Sequence, residues 1–352
     1  MLLSVVTNRY IELEPRQVRL REEESQPEPA GWVRVKVSAC GICGTDLHLY
    51  EGMPELGWSY PVRPGHEVAG VVTTQANGSG AIGPGEQVVL HPLIPCGKCQ
   101  ACRTGRENLC RAAPTMGFDA IGGLADEIAW PPDRMVAVPG IAPEQAAIMA
   151  DAVASAYQAL RLAALPQGGA LTLLGAGGIG THILQIARAL DPDVRLTAVV
   201  RSDATVERLN ALGIGVSVIQ GLVGCHSTVV AASGPQDAVI EYGAGAAALR
   251  EALPILKRGG TLVIGSMEDQ PIDLGATLAR FATRGLRVVG SMGSTLTDLQ
   301  SAVDLVVNGS LDLSASVSHR FPLTQTAEAL GLLEARPPGL MRVVVTPASA
   351  AS

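Results

Sequence analysis

The sequence predicts an α/β protein of two domains, one β-rich and one built on a doubly wound parallel sheet with helices on both faces. Three observations carry this. The chain has 352 residues, long for one ordinary domain and short for three. Up to about residue 150, short runs of alternating apolar and polar residues lie between Gly and Pro turns. From about residue 170 onward, apolar runs of strand length alternate with helical stretches.

Taken in order, "GWVRVKVSAC", "HEVAGVVTT" and "GEQVVLHPL" read as strands bounded by turn residues. "PEQAAIMADAVASAYQALRLAAL" reads as one long alanine-rich helical stretch. "LTLLG", "RLTAVV", "DAVIEYG", "GTLVIGS" and "GLRVVGS" read as strands of a buried parallel sheet. No repeat of 20–50 residues is visible, and the tail "TPASAAS" reads as disordered.

Composition excludes several function classes. Aromatics are 3% and the formal net charge is −7, so neither stacking platforms nor a basic face for nucleic acid is expected. No apolar run is long enough to cross a bilayer, and the opening "MLLSVVTNRYIELE" lacks the pattern of a signal peptide. Seven cysteines, four of them tightly spaced, suggest metal binding in a cytoplasmic chain rather than disulfides.

The strongest motif is "CGKCQACRTGRENLC". Cys96, Cys99, Cys102 and Cys110 offer four thiolates in one short loop, which suits a closed tetrahedral zinc site. An iron–sulfur cluster is the rival, but ferredoxin-like runs have another fourth spacing and a following proline. A four-thiolate zinc has no open position, so it braces a lobe and does no chemistry.

The second motif is "GAGGIG", placed after the strand "ALTLLG" and before the helix "THILQIARAL". In this Rossmann context Gly175 makes the tight turn, Gly177 lets the backbone approach a pyrophosphate, and Gly180 allows close helix–strand packing. Gly178 and Ile179 open the helix, whose N–H groups face the phosphates.

The third signal is dispersed over "GICGTDLH", "PGHE" and "MADAVASAYQAL". Together these stretches supply Cys43, His66, Glu67 and Asp151, donors that suit a zinc site with an open position. Cys40 and Cys43 also form a C-x-x-C pair, which by itself reads equally as a redox pair or half of a metal finger.

From "GICGTDLH" through "PGHE", the four-cysteine loop, "GGLADE", "ASAYQAL" and "GAGGIG" to "GLMRVVV", the chain resembles the zinc-containing medium-chain alcohol and polyol dehydrogenases. The resemblance implies a GroES-like catalytic domain over 1–153 and 293–352, a Rossmann domain over 154–292, and an active site between them. By resemblance, Cys43 is a catalytic zinc ligand and Cys40 a buried strand residue. His66 is the histidine ligand, Glu67 the acid behind the metal, and Asp46 the carboxylate that orients the zinc histidine. Thr45 would take the substrate proton, and His48 would pass it outward. Where many relatives have a third-ligand cysteine, "DAVASAY" places Asp151, an anion of the same formal charge that zinc also accepts. Arg342 matches an arginine on the cofactor pyrophosphate. Leu56, Trp58, Pro92, Thr115, Met116 and Met292 would line the pocket; Met149 and Met292 could line its nicotinamide end, but packing suits each of them better. Cys225 and His226 have no metal role.

The resemblance therefore implies a zinc-dependent oxidoreductase, with two zinc ions per chain, moving hydride between NADP or NAD and a small secondary alcohol, polyol or sugar-like substrate. A carbonyl or activated-alkene reductase, or a non-catalytic cofactor-binding relative, are the alternatives. A homodimer or homotetramer, with "GTLVIGS" to "GLRVVGS" at the subunit edge, is expected. For the cofactor, the position about 20 residues past the glycines is Val200, where an NAD site usually carries an acid. Arg201 and Ser202 come next and suit a 2′-phosphate, which favours NADP. Asp203 could instead take the ribose hydroxyls.

Overall fold

In the computed structural model, which describes residues 7–52, 59–75 and 82–347, the strands run in chain order. They are β1 (Thr7–Glu14), β2 (Gln17–Glu24), β3 (Val33–Ile42), β4 (Glu67–Val72), β5 (Gln87–Leu90), β6 (Glu127–Trp130), β7 (Met135–Ala137), β8 (Ala170–Leu174), β9 (Arg195–Val200), β10 (Val216–Gln220), β11 (Gln236–Glu241), β12 (Leu256–Ile264), β13 (Arg287–Gly290), β14 (Val317–Pro322) and β15 (Arg342–Thr346). The chain divides into two compact units. One is Met1–Asp151 with Thr295–Val307 and Asp312–Ser352; the other is Ala152–Ser294 with Asn308–Leu311.

The first unit is organised on β3. Val33, Val35 and Val37 are buried, while Arg34 and Lys36 point away from the core, the alternation that a strand with one covered face requires. The sheet order is β14-β15-β3-β4-β5-β7, with β6 also paired to β3, and only β14 and β15 run parallel. β1 and β2 form a separate antiparallel hairpin. Leu13, Val35, Leu90 and Trp130 are fully buried in one core, each side chain of this size contributing about 1.5–3 kcal/mol of transfer free energy.

The second unit carries a six-stranded sheet in the order β10-β9-β8-β11-β12-β13, every pair parallel. Counted within the unit this is 3-2-1-4-5-6, the doubly wound arrangement whose order reverses between β8 and β11. All five residues of β8 are buried, as a parallel strand covered on both faces demands. The helix Gly178–Leu190 buries Ile183, Leu184 and Ile186.

The elements differ from the sequence expectation in two respects. The alanine-rich stretch that reads as one helix is divided into a helix Pro143–Ile148, a π turn Met149–Val153 and a helix Ala154–Ala163. Alanine periodicity cannot register the extra residue of a π turn. β1, β2, β6, β7, β10, β14 and β15 have no counterpart among the expected strands; β10, for one, is an edge strand that is only half covered and shows no continuous apolar run.

Candidate functional site

The register of three strands brings the first candidate site together. Gly41 pairs with Glu67 across β3 and β4, and Ile42 pairs with Val343 across β3 and β15. Cys43, Glu67 and Arg342 therefore stand at one end of the sheet. Cys43 caps the helix Gly44–Glu51, its Sγ accepting from Thr45 N at 3.2 Å. Asp46 completes the cap by accepting from Cys43 N at 3.0 Å, and its other oxygen accepts from Gly65 N at 3.2 Å. One fully buried carboxylate thus holds the backbone beside both Cys43 and His66. Its distance to His66 Nδ1 is 3.7 Å, beyond hydrogen-bond length, so its short contacts are to backbone.

Cys43 Sγ lies 3.2 Å from His66 Nε2, and Asp151 Oδ2 lies 3.7 Å from the same nitrogen. Asp151 comes from the π turn, on the segment whose first helix packs against β3 and β4. Such turns reshape a helix locally and recur at functional sites. One donor atom from each of Cys43, His66, Glu67 and Asp151 lies within 4.8 Å of the others, a group that could hold a metal ion. Thiolate, imidazole and carboxylate are the donor types zinc takes, so the residues fit that ion. Burial opposes charging of His66, but Cys43, Asp46 and Asp151 together raise its pKa well above the ordinary value.

Glu67 is fully buried and accepts from Arg342 Nη2, while its Oε2 has no hydrogen-bond partner among the described residues. Burial lifts its pKa to about 7, against the pull of Arg342. Burial also weighs on Arg342, but Glu67, Cys43 and Asp151 raise its pKa. In this structure Arg342 is thus a buried partner of Glu67, with Nε lacking an acceptor. Thr45 and His48 stand three residues apart on the helix Gly44–Glu51, hence on one face. His48 Nδ1 is shielded and has no hydrogen-bond partner among the described residues.

Of the pocket residues expected from the resemblance, Leu56 and Trp58 lie outside the described residues. Pro92, Thr115 and Met116 come together, Met116 N donating to Pro92 O at 2.8 Å. Met116 is fully buried in the core, and Met292 belongs to the other unit and is 56% exposed.

The second site is the cysteine loop. Cys99 and Cys102 sulfurs are 3.4 Å apart, Cys96 and Cys102 4.0 Å, and all four ligand atoms fall within 4.8 Å. Zn–S bonds of about 2.3 Å at tetrahedral angles separate sulfurs by ~3.8 Å, so four thiolates here suit zinc. Backbone N–H groups of Lys98 and Cys99 lower the Cys96 pKa to about 6, while burial and neighbouring thiols push Cys102 to about 12.

Sequence reading missed what ties this loop down. Glu107 accepts from Arg134 Nη2 at 2.7 Å and from Leu296 N at 2.9 Å, the latter opening the helix Leu296–Val307. Arg134 also reaches His91 Nδ1 at 2.9 Å and donates to Leu93 O at 2.9 Å. A half-buried acid and a buried arginine 27 residues apart carry no local signature; only the fold pairs them.

The third site lies in the second unit. Gly175 has φ 89°, and a Cβ there would lie 2.6 Å from Tyr242 O and 2.7 Å from Ala244 N, so only glycine fits. A Cβ on Gly180 would lie 2.4 Å from Gly175 O, whereas at Gly177 nothing lies within 4 Å. The turn is closed from behind and open where a phosphate would approach the N-terminus of the helix that Gly178 and Ile179 begin, which fits a dinucleotide. Arg201 donates to Gly243 O at 2.9 Å, and Ser202 caps the helix Asp203–Ala211. Sequence reading also missed Glu241, which is buried and accepts from Ala244 N, Gly245 N and Ser266 Oγ, holding the segment that backs Gly175.

Two family models match the chain: an alcohol dehydrogenase GroES-like domain over residues 29–140, and a zinc-binding dehydrogenase over residues 178–308. An alcohol dehydrogenase of Geobacillus stearothermophilus is 32% identical over 88% of this chain and 88% of its own length. A 2-dehydro-3-deoxy-L-galactonate 5-dehydrogenase of Pseudoalteromonas atlantica is 27% identical over 90% of this chain and 92% of its own. Among solved structures, a putative zinc-binding dehydrogenase of Sinorhizobium meliloti bound to NADP superposes with a TM-score of 0.85 at 28% identity. It covers 97% of this chain and 100% of its own. Among the described residues no helix is long and apolar enough to cross a membrane. The chain belongs to the zinc-containing medium-chain dehydrogenase family and is an oxidoreductase of the alcohol dehydrogenase type.

Proposed function

We propose that the chain is a zinc-dependent, NADP-linked dehydrogenase that interconverts a small secondary alcohol, polyol or sugar-acid substrate with its carbonyl form. The observation that carries this is the convergence of Cys43, His66 and Asp151 donors on one point beside Thr45. The galactonate dehydrogenase among the relatives, and the NADP-bound neighbour, support the substrate class and the cofactor.

When bound, zinc supplies Lewis-acid polarisation of the substrate oxygen and the nicotinamide accepts or returns the hydride. Cys43, His66 and Asp151 would hold the metal, and Glu67, paired with Arg342, adds a fourth donor beside them. The Thr45 hydroxyl takes the proton of the alcohol, and His48 passes it toward solvent. Gly175, Gly177 and Gly180 seat the dinucleotide, and Arg201 with Ser202 meets the 2′-phosphate. Cys96, Cys99, Cys102 and Cys110 hold a second, structural zinc. We also propose a cytoplasmic homodimer or homotetramer. The seven free thiols suit a reducing compartment, and β13 offers a sheet edge, unpaired among the described residues, to a second copy.

The test is a metal count on purified protein, followed by the absorbance of reduced nicotinamide over a panel of alcohols, ketones and sugar acids with either cofactor. Turnover that survives complete metal removal, or reduction of activated alkenes alone, would overturn the proposal.

A further inference from the structure

Arg208 takes no part in the proposed chemistry. It lies in the helix Asp203–Ala211, and its Nη2 donates to the carbonyl oxygen of Ala176, inside the glycine turn. Its Nε is shielded from solvent and has no acceptor among the described residues. Among the described residues no carboxylate lies within ion-pair distance of it or of Arg201. That is unlike Arg9, Arg34, Arg63, Arg134 and Arg342, each of which faces an acid. It is unlike Arg188 too, which is spent on the carbonyls of Ile214, Pro192 and Gly215. Burial lowers the Arg208 pKa, and nothing compensates.

The two uncompensated guanidiniums meet one stretch of backbone. Arg208 reaches Ala176 O, Arg201 reaches Gly243 O, and these segments touch at Gly175, where a Cβ would lie 3.0 Å from Gly243 C. Ala176, Arg201 and Gly243 lie just past the C-terminal ends of β8, β9 and β11, three neighbouring strands at the point where the sheet order reverses. No acid occupies the end of β9, where Val200 is buried.

We propose that Arg208 is a specificity-determining residue for NADP, a second cation that, with Arg201 and the Ser202 hydroxyl, receives the 2′-phosphate. This rests on the proposed NADP linkage. A ribose 2′-hydroxyl needs one hydrogen-bond acceptor and no positive charge, whereas a phosphate dianion matches two guanidinium forks. Each carbonyl bond takes one nitrogen of its arginine; in Arg208, whose Nε is shielded, Nη1 is left to the ligand.

The test is calorimetric titration of the full-length protein with adenosine 2′,5′-bisphosphate and with 5′-AMP, which needs neither metal nor turnover. The wild type is expected to prefer the bisphosphate by about tenfold or more. Arg208→Gln should weaken the bisphosphate by about tenfold and leave 5′-AMP unchanged, and Arg208→Lys should restore part of the loss. Arg208→Lys also serves if the glutamine variant fails to fold. If Arg208→Gln weakens both ligands equally, or neither, the residue only braces the glycine turn and the inference is wrong. If instead the wild type binds both ligands alike, it is the NADP linkage itself that fails.

Discussion

Gly41 and Glu67 face each other across β3 and β4 so closely that a Cβ on Gly41 would lie 1.9 Å from Glu67 Oε2. Glu67 cannot yield into solvent, because it is fully buried and tied to Arg342. The absence of one methyl group is therefore what lets an acid sit beside the Cys43, His66 and Asp151 donors.

Gly41→Ala should destabilise the first unit by about 1–3 kcal/mol, the usual cost of overpacking a full core. In a Glu67→Ala background the same change should cost clearly less, because the contact with Oε2 is gone and only the Cβ, 3.0 Å away, remains. Urea unfolding of the four proteins measures the coupling; equal costs in both backgrounds would place the clash elsewhere.

Asp151→Ala should lose one metal ion and all turnover while the protein stays folded. Cys99→Ser should lose the other ion and lower the melting temperature, because a structural zinc contributes directly to folding. Elemental analysis decides both, and a full metal load in Asp151→Ala would remove that residue from the ligand set.

Thr45→Ala should lower kcat by about 10²–10⁴-fold with the metal retained, the range for a positioned proton acceptor. His48→Ala should cost less, with the deficit largest at low pH, since solvent replaces an outer relay group in part. Steady-state kinetics across pH check this, and a wild-type kcat in Thr45→Ala would rule out the path.

Glu107 gives a pH dependence. Burial opposes its ionisation, but Arg134 and the Leu296 N–H hold its pKa below the ordinary 4.5. A depressed folded-state pKa contributes stability above the unfolded-state value and loses it as pH falls through the folded-state value. Glu107→Gln should therefore cost about 1.5–3 kcal/mol near neutrality, the worth of hydrogen bonds to a charged group. The gap to wild type should narrow as the pH drops below about 4. Thermal melts of both proteins over that range provide the measurement, and a constant gap would contradict it.

The sequence by itself determined the two-domain α/β class, the parallel sheet, the two cysteine-bearing stretches and the glycine turn. These are local properties: strand and helix periodicity, ligand-type side chains at short spacing, and glycines where no Cβ fits. Motif order along the chain also pointed to Cys43, His66 and Asp151, which the structure brings within 4.8 Å of one another. Only the tertiary structure decided the partners. Arg342 and Glu67 are 275 residues apart, and Glu107 and Leu296 are 189 apart. The structure also turned the Asp151 segment into a π turn and laid Arg208 against Ala176. No local pattern encodes these contacts, because strand register and helix packing decide which distant side chains meet. A buried charge takes whichever partner the fold sets beside it, since leaving it alone in a low-dielectric interior costs more than any local preference supplies.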